Sequence, residues 1–97
     1  MERRLLGKDA LDDAVASLDG WETDGSEIIK KPKFENFAEA LAYVNRVGEL
    51  AEAADHHPDI KFGWGYAEIA LTTHDRGGVT DVDLALAAKI DAIGSSL

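Results

Sequence analysis

The three histidines of this chain, His56, His57 and His74, lie in one short region and are the side chains best suited to proton chemistry. An imidazole has an unperturbed pKa of about 6.5, so it can both give and take a proton near neutrality. His56 and His57 are adjacent and precede Pro58, which fixes its own φ and favours an extended backbone at His57. The pair is therefore expected where a helix ends, with its two rings pointing in different directions.

Two carboxylates are spaced so that they could hold these rings. Glu52 lies one helical turn before His56, so an i,i+4 contact would orient that imidazole. Asp83 falls in the first turn of the last predicted helix and could reach the same site. A histidine held by a carboxylate has a fixed tautomer and ring direction. We therefore expect Glu52 to orient His56 beside Asp83.

The apolar periodicity predicts the order α-β-β-α-β-β-α in one domain, residues 1–97. Such an order is typical of an α+β fold in which helices cover one face of a four-stranded antiparallel sheet. Asp9 should cap the first helix, and Asn36 should cap the longest one, which carries Phe37 and Leu41 on its buried face. Thr80 should cap the last helix. The predicted strands span residues 21–23, 28–31, 60–64 and 67–73.

The last two strands bring the histidines together. Gly65-Tyr66 suits a two-residue hairpin turn with glycine first, and Trp64 then ends the strand before it. In such a hairpin, the strand start near Pro58 and the strand end near Thr73 lie at the same edge of the sheet. The three imidazoles should converge there.

The histidines also belong to a longer spaced series. The series runs Glu52, three residues, His56-His57-Pro58, five residues, Trp64, nine residues, His74, eight residues, Asp83. This spacing resembles the signature of the pterin-4a-carbinolamine dehydratases, also called 4a-hydroxytetrahydrobiopterin dehydratases. The similarity extends from about Trp21 to the C-terminal helix. The segment 63–66 departs from the family pattern in being richer in glycine.

The resemblance implies the activity and the site. The expected reaction is loss of water from a 4a-hydroxytetrahydropterin, without cofactor or metal, in tetrahydropterin recycling. His56 and His74 would be the acid–base pair, and His57 would position the substrate hydroxyl. The residues implied to bind the substrate are Glu52, Asp55, Trp64, Thr72, Thr73 and Asp83.

Two other interpretations of the histidines remain open. Three imidazoles can bind zinc and leave an open position for water. Adjacent residues rarely direct two rings to one ion, however, and the chain has no cysteine to complete such a site. Alternatively, the histidines only cap and pack. Trp64 by itself is also typical of a core or an interface.

The acidic composition of the chain argues against one class of binding partner. The formal net charge of −9 repels a phosphate backbone and argues against direct binding of nucleic acid. It fits either a salt-adapted, halophilic source or an ordinary acidic protein. The lack of an N-terminal apolar stretch or a long apolar run predicts a cytoplasmic protein without a membrane span.

A chain this short gains from assembly, and we expect a homodimer or homotetramer. Gly48, inside the long helix, would allow another helix to approach closely, or it is simply tolerated. The resemblance leaves two further functions open. One is a non-enzymatic dimerisation or transcriptional coactivator module, and the other is a pterin role in molybdopterin metabolism.

Overall fold

The computed structural model describes residues 4–93, so residues 1–3 and 94–97 of the expected domain lie outside it. The predicted order of helices and strands is confirmed, with one added 3-10 helix, His74–Arg76. The elements are α1 (Lys8–Ala16), β1 (Trp21–Thr23), β2 (Ile28–Lys30), α2 (Phe37–Ala54), β3 (Asp59–Gly63), β4 (Tyr66–Leu71) and α3 (Asp81–Asp91).

The four strands form one antiparallel sheet in the order β1-β2-β4-β3. Ile28 pairs with Leu71, and Asp59 pairs with Ala70. The end of β4 is therefore flanked by the starts of β2 and β3. The predicted proximity of the start of β3 to the end of β4 is confirmed. Strands β2 and β4 are the inner strands of the sheet. The edge strands are β1 and β3.

The helices pack on one face of this sheet, which confirms the α+β class. Alternate strand residues point to that face and are buried, since side chains along a strand alternate between its two sides. Burying one large aliphatic side chain is worth about 1.5–3 kcal/mol. The largest fully buried aliphatic side chains are Ile28, Ile69, Leu71, Leu86, Ile90, Val47 and Val79.

Helix α2 begins and ends as its sequence predicts. The Asn36 side chain accepts a hydrogen bond from the Glu39 amide at 2.9 Å. At the other end, Asp55 has φ 50 and ψ 43, in the left-handed region, and the His56 amide donates to the Ala51 carbonyl. This backbone arrangement closes the helix and sends the chain away from the helix axis at His56.

Two details of the helices differ from expectation. Helix α1 begins at Lys8 after Gly7, so Asp9 lies in the first turn and is not the cap. On α2, Phe37 and Leu41 are 45% and 39% exposed, whereas Tyr43 is buried. The sheet contacts α2 along a narrow stripe that includes Tyr43, and this rotates the two predicted core residues outward.

The β3–β4 turn is displaced by one residue from the prediction. Gly63 pairs with Tyr66, so the two turn residues are Trp64 and Gly65. Gly65 has φ 82, a conformation that glycine adopts without steric cost, and it occupies the second turn position. Trp64 is consequently outside the strand and 72% exposed.

Within residues 4–93, none of the helices combines the length and apolar character that crossing a bilayer requires.

Candidate active site

The His56 imidazole lies against the carboxylate of Asp83, across the junction between the end of α2 and the start of α3. Its Nε2 is 2.5 Å from Asp83 Oδ1. The His56 side chain is only 12% exposed and that of Asp83 is fully buried. The expectation that Asp83 reaches the histidines is therefore confirmed for His56.

The other Asp83 oxygen is also engaged. Oδ2 accepts hydrogen bonds from the Thr73 hydroxyl and from the Thr80 amide, each at 2.8 Å. Thr80 caps α3 as predicted, and Asp83 completes a reciprocal capping box with it. A buried carboxylate is costly unless its oxygens are hydrogen-bonded. Three donors satisfy this one, so its position is fixed.

The Glu52 carboxylate contacts Nε2 of His57, not the ring of His56, so the expected i,i+4 pair is wrong. The reason is local. Helical geometry stops at Ala54, and the left-handed Asp55 turns His56 away from the helix. His57, one residue later, comes back over the last turn of α2. This second pair lies at the surface, with side chains 55% and 78% exposed.

His74 lines an open cleft of about 430 Å³ at the sheet edge where β4 ends. Its imidazole is exposed, at the start of the 3-10 helix. The Thr72 hydroxyl, in the same cleft, donates to the Ser26 carbonyl at 2.7 Å and ties the end of β4 to the start of β2. The cleft is lined by Ser26, Glu27, Asp59, Thr72, His74, Gly77 and Gly78.

One wall of the cleft is set by the turn before β2. Asp24 Oδ1 accepts from the Ser26 amide, the Ser26 hydroxyl and the Glu27 amide at 2.9, 2.9 and 3.1 Å. These bonds, the Ser26 amide first, hold the pKa of Asp24 below its ordinary value, because they stabilise the charged form. The turn at Asp24-Gly25-Ser26 thus places two cleft residues.

The remaining predicted site residues differ in their burial and in their distance from the cleft. Thr73 is buried and its hydroxyl is committed to Asp83, whereas Asp55 is exposed beside the histidine pair. Trp64 follows the end of β3, whereas Asp59 starts that strand at the cleft. At about 3.3 Å per residue, the five-residue separation places them about 17 Å apart. The structure therefore does not bring Trp64 to the cleft.

Sequence reasoning identified Thr80 only as a helix cap and did not connect it with the histidines. The spacing of Thr80 and Asp83 is that of a capping box, and Asp83 also belongs to the histidine series. This shared residue could have linked Thr80 to the histidines. Among residues 4–93, no group of three or more histidine, aspartate or glutamate side chains is arranged to hold a metal ion.

Comparison with known proteins assigns the chain to a family. The sequence model described as pterin 4 alpha carbinolamine dehydratase matches residues 4–93. This chain belongs to the pterin 4 alpha carbinolamine dehydratase family. The resemblance inferred from the residue spacing is thereby confirmed.

Relatives in the family cover nearly the same length. A protein of Thermomicrobium roseum, with the provisional name pterin-4-alpha-carbinolamine dehydratase, is 49% identical over 90 residues, 88% of this chain and 97% of its own. One from Halorhodospira halophila, under the same provisional name, is 53% identical over 74 residues, 76% of this chain and 68% of its own.

Two solved structures share the fold. A transcriptional coactivator/pterin dehydratase from Brucella melitensis has a TM-score of 0.87 and 32% identity, covering 95% of this chain and all of that one. A pterin dehydratase-like protein identified as a RuBisCO assembly factor in the alpha-carboxysome has a TM-score of 0.62 and 27% identity. It covers 79% of this chain and 89% of that one.

Proposed function

We propose that this protein removes water from a 4a-hydroxytetrahydropterin by general acid–base catalysis. The bond between the ring-fusion carbon and its hydroxyl breaks, the proton on the neighbouring ring nitrogen is removed, and a carbon–nitrogen double bond forms. The products are water and the quinonoid dihydropterin. No oxidant, reductant or covalent intermediate is needed, so two proton-exchanging groups suffice. Family membership supports dehydratase chemistry.

The observation that carries this proposal is the buried carboxylate behind His56. An ionised carboxylate only accepts hydrogen bonds, so His56 Nε2 carries the proton that points at Asp83. The other ring nitrogen, Nδ1, is then the one that exchanges a proton with the substrate. A purely structural histidine at a helix end does not need a fully buried charge to fix its tautomer.

The other site residues take roles that fit their exposure. His74, on the wall of the cleft, is the second member of the acid–base pair. His57, held by Glu52, positions the substrate hydroxyl. Thr72 and Asp55 are accessible enough to contact the pterin. We assign Asp83 a positioning role, because no part of it is exposed to a substrate.

The cleft favours an uncharged pterin. Among residues 4–93, its lining contains the carboxylates of Glu27 and Asp59 but no lysine or arginine. Phosphate is normally bound by such cations or by a helix N-terminus, and a chain of net charge −9 repels it further. These charges argue against a phosphate-bearing pterin such as the one in molybdopterin metabolism.

The decisive experiment is a dehydration assay on chemically made 4a-hydroxytetrahydropterin. The wild type should accelerate the reaction, and His56→Ala and His74→Ala should each lower the rate at least about tenfold with the fold intact. The double variant should lose nearly all of the acceleration. Asp12→Ala, on the exposed face of α1, is the matched surface control and should leave the rate unchanged. Wild-type rates in both single variants would remove the histidines from the acid–base pair.

A non-enzymatic role is the second candidate, because the Brucella melitensis structure is named as both a coactivator and a dehydratase. A protein-binding role would use exposed apolar side chains and none of the histidines. Phe37 and Leu41 on α2 and Trp64 at the β3–β4 turn are such side chains. The same surface suits a homodimer or homotetramer. A partner complex that survives the double histidine substitution would support this role.

A further inference from the structure

Two buried hydroxyls lie behind the Asp83 carboxylate. The side-chain oxygens of Thr73 and Thr80 are 2.9 Å apart, and the two residues are 1% and 0% exposed. Thr73 follows the end of β4, and Thr80 is the residue before α3. The pair therefore connects the sheet to the helix that carries Asp83.

The direction of these hydrogen bonds follows from counting protons. Each threonine hydroxyl has one proton to donate. The Thr73 proton goes to Asp83 Oδ2, which can only accept, so the bond between the hydroxyls must be donated by Thr80. The Thr80 oxygen in turn accepts from the Val82 amide at 3.3 Å. The bonds thus run in one direction, from Thr80 to Thr73 to Asp83, and His56 meets Asp83 from the other side.

We propose that Thr80, acting through Thr73 and Asp83, is a positioning residue for His56. This inference rests on the proposed function of His56. In the protein interior, where the dielectric constant is low, consecutive hydrogen bonds polarise one another. A network in which every donor and acceptor is satisfied holds a single geometry. Without the Thr80 proton, the Thr73 hydroxyl loses the donor that orients it, and Asp83 can rotate. The His56 ring then loses its fixed tautomer.

Backbone bonds hold the two hydroxyls in register. The Thr73 amide donates to the Gly78 carbonyl at 2.9 Å, which closes the loop between the threonines. The N-terminal segment lies alongside this loop, where the Leu6 amide donates to the Val79 carbonyl at 3.0 Å and Leu5 bridges to Thr80. Thr80 is therefore fixed from both sides, so removing its hydroxyl changes the hydrogen bonding more than the backbone.

The test compares Thr80→Val, which removes the hydroxyl at nearly constant shape, with Thr80→Ser, which keeps it. Two quantities are measured, the ring ¹⁵N chemical shifts of His56 and the steady-state kinetics of dehydration. In Thr80→Val, the nitrogen signals should move from a single Nε2–H tautomer toward a mixture. The kcat should fall roughly ten- to a hundredfold with KM little changed, as when an outer partner of an oriented histidine is removed. Thr80→Ser should restore both.

The control must separate positioning from loss of a helix cap. Asn36→Ala removes the analogous cap of α2, away from the histidines, and should leave the His56 signals and kcat unchanged. Thr73→Val keeps the α3 cap and should reproduce the His56 change, so it serves if Thr80→Val does not fold. A rise in KM alone for Thr73→Val would identify Thr73 as a substrate contact and overturn the positioning role.

Unchanged His56 nitrogen signals in both Thr80→Val and Thr73→Val would also overturn the proposal. These signals do not depend on catalysis. A wild type without dehydratase activity would refute the proposed function, while the nitrogen signals would still decide whether Thr80 positions His56.

Discussion

At the residue scale, the core contains a hydroxyl with an unusual environment. Tyr43 is 3% exposed, and its Oη has no hydrogen-bond partner within residues 4–93. Burial and the negative charge of Asp91 raise the pKa of Tyr43 to about 12. Asp91 Oδ1 already accepts from Lys30 Nζ at 2.7 Å and from Trp21 Nε1 at 2.8 Å. The phenol is therefore held in its neutral form beside a carboxylate that is occupied by other donors.

We expect Tyr43→Phe to keep or raise the free energy of unfolding at pH 7, by about 1 kcal/mol, because an unpaired buried hydroxyl is costly. Because the pKa is raised in the folded protein, Tyr43 makes no pH-dependent change to stability below pH 10, the ordinary value, and lowers stability as pH rises from 10 toward about 12. The wild type should therefore lose more stability than the variant above pH 10. Urea unfolding at pH 7 and above pH 10 measures the free energy of unfolding of each protein, with Tyr66→Phe as control. A marked destabilisation by Tyr43→Phe at pH 7 would show that its hydroxyl has a partner.

The spacing of the histidines, Glu52 and Asp83 predicted that carboxylates would lie beside imidazoles, which the structure confirms, but it did not predict which carboxylate contacts which ring. The partners depend on the left-handed backbone at Asp55, since a helix continued through His56 would have given the Glu52 contact that we expected. The left-handed conformation of one residue, Asp55, thus separates the histidine that is buried against a carboxylate from the one that is exposed.

At the element scale, the side chains of Asp24 and Thr23 hold the turn between β1 and β2 by hydrogen bonds. Asp24 holds Ser26 and Glu27 by hydrogen bonds to one carboxylate oxygen. The Thr23 hydroxyl adds a bond to the Glu27 carbonyl at 2.7 Å. Because Ser26 and Glu27 line the cleft, this turn shapes the site as well as the hairpin.

We expect Asp24→Ala to lower the free energy of unfolding at neutral pH, because the turn loses its acceptor. The lowered pKa of Asp24 means that its contribution is present above the ordinary value of 3.8 and is lost as pH falls through the folded value. The difference between wild type and Asp24→Ala should shrink in acid. Asp24→Asn, which keeps an acceptor but does not titrate, is the matched control. A difference between wild type and Asp24→Ala that persists unchanged at pH 2 would contradict this account.

The starts of α2 and α3 were predicted correctly, whereas the cap of α1 and the buried face of α2 were not. Asn36 and Thr80 begin their helices as expected because their side chains bond nearby amides. The exposure of Phe37 and Leu41 depends on how α2 packs on the sheet. The local sequence pattern does not contain that information.

At the scale of the whole molecule, one face of α2 carries two exposed apolar side chains, Phe37 and Leu41. Phe37, Leu41, Val44 and Gly48 recur along it at helical spacing, and the Phe37 ring lies 5.4 Å from that of Phe62 on the edge strand β3. A side chain added at Gly48 would meet nothing within 4 Å. We expect the exposed part of this face to pack against a second copy of the chain.

We expect Gly48→Glu to weaken the assembly without unfolding the subunit. Glutamate favours a helix over glycine by about 1 kcal/mol, so the subunit itself should gain stability, whereas a carboxylate at a close helix contact disfavours association. Gly48→Ala is the control and should keep the assembly. Light scattering in high salt measures the mass, since a charge of −9 per chain makes subunits repel until salt screens it. A wild type that remains monomeric at micromolar concentration would refute assembly through this face.

The strand order has a consequence for how the chain folds. Each hairpin, β1–β2 and β3–β4, pairs residues that are neighbours in sequence, so each can form early. The central β2–β4 pairing joins Ile28 to Leu71 and must close a loop containing α2 and β3, which is slower. The cleft spans that junction, where Ser26 meets Thr72. We therefore expect the cleft to form later in folding than either hairpin.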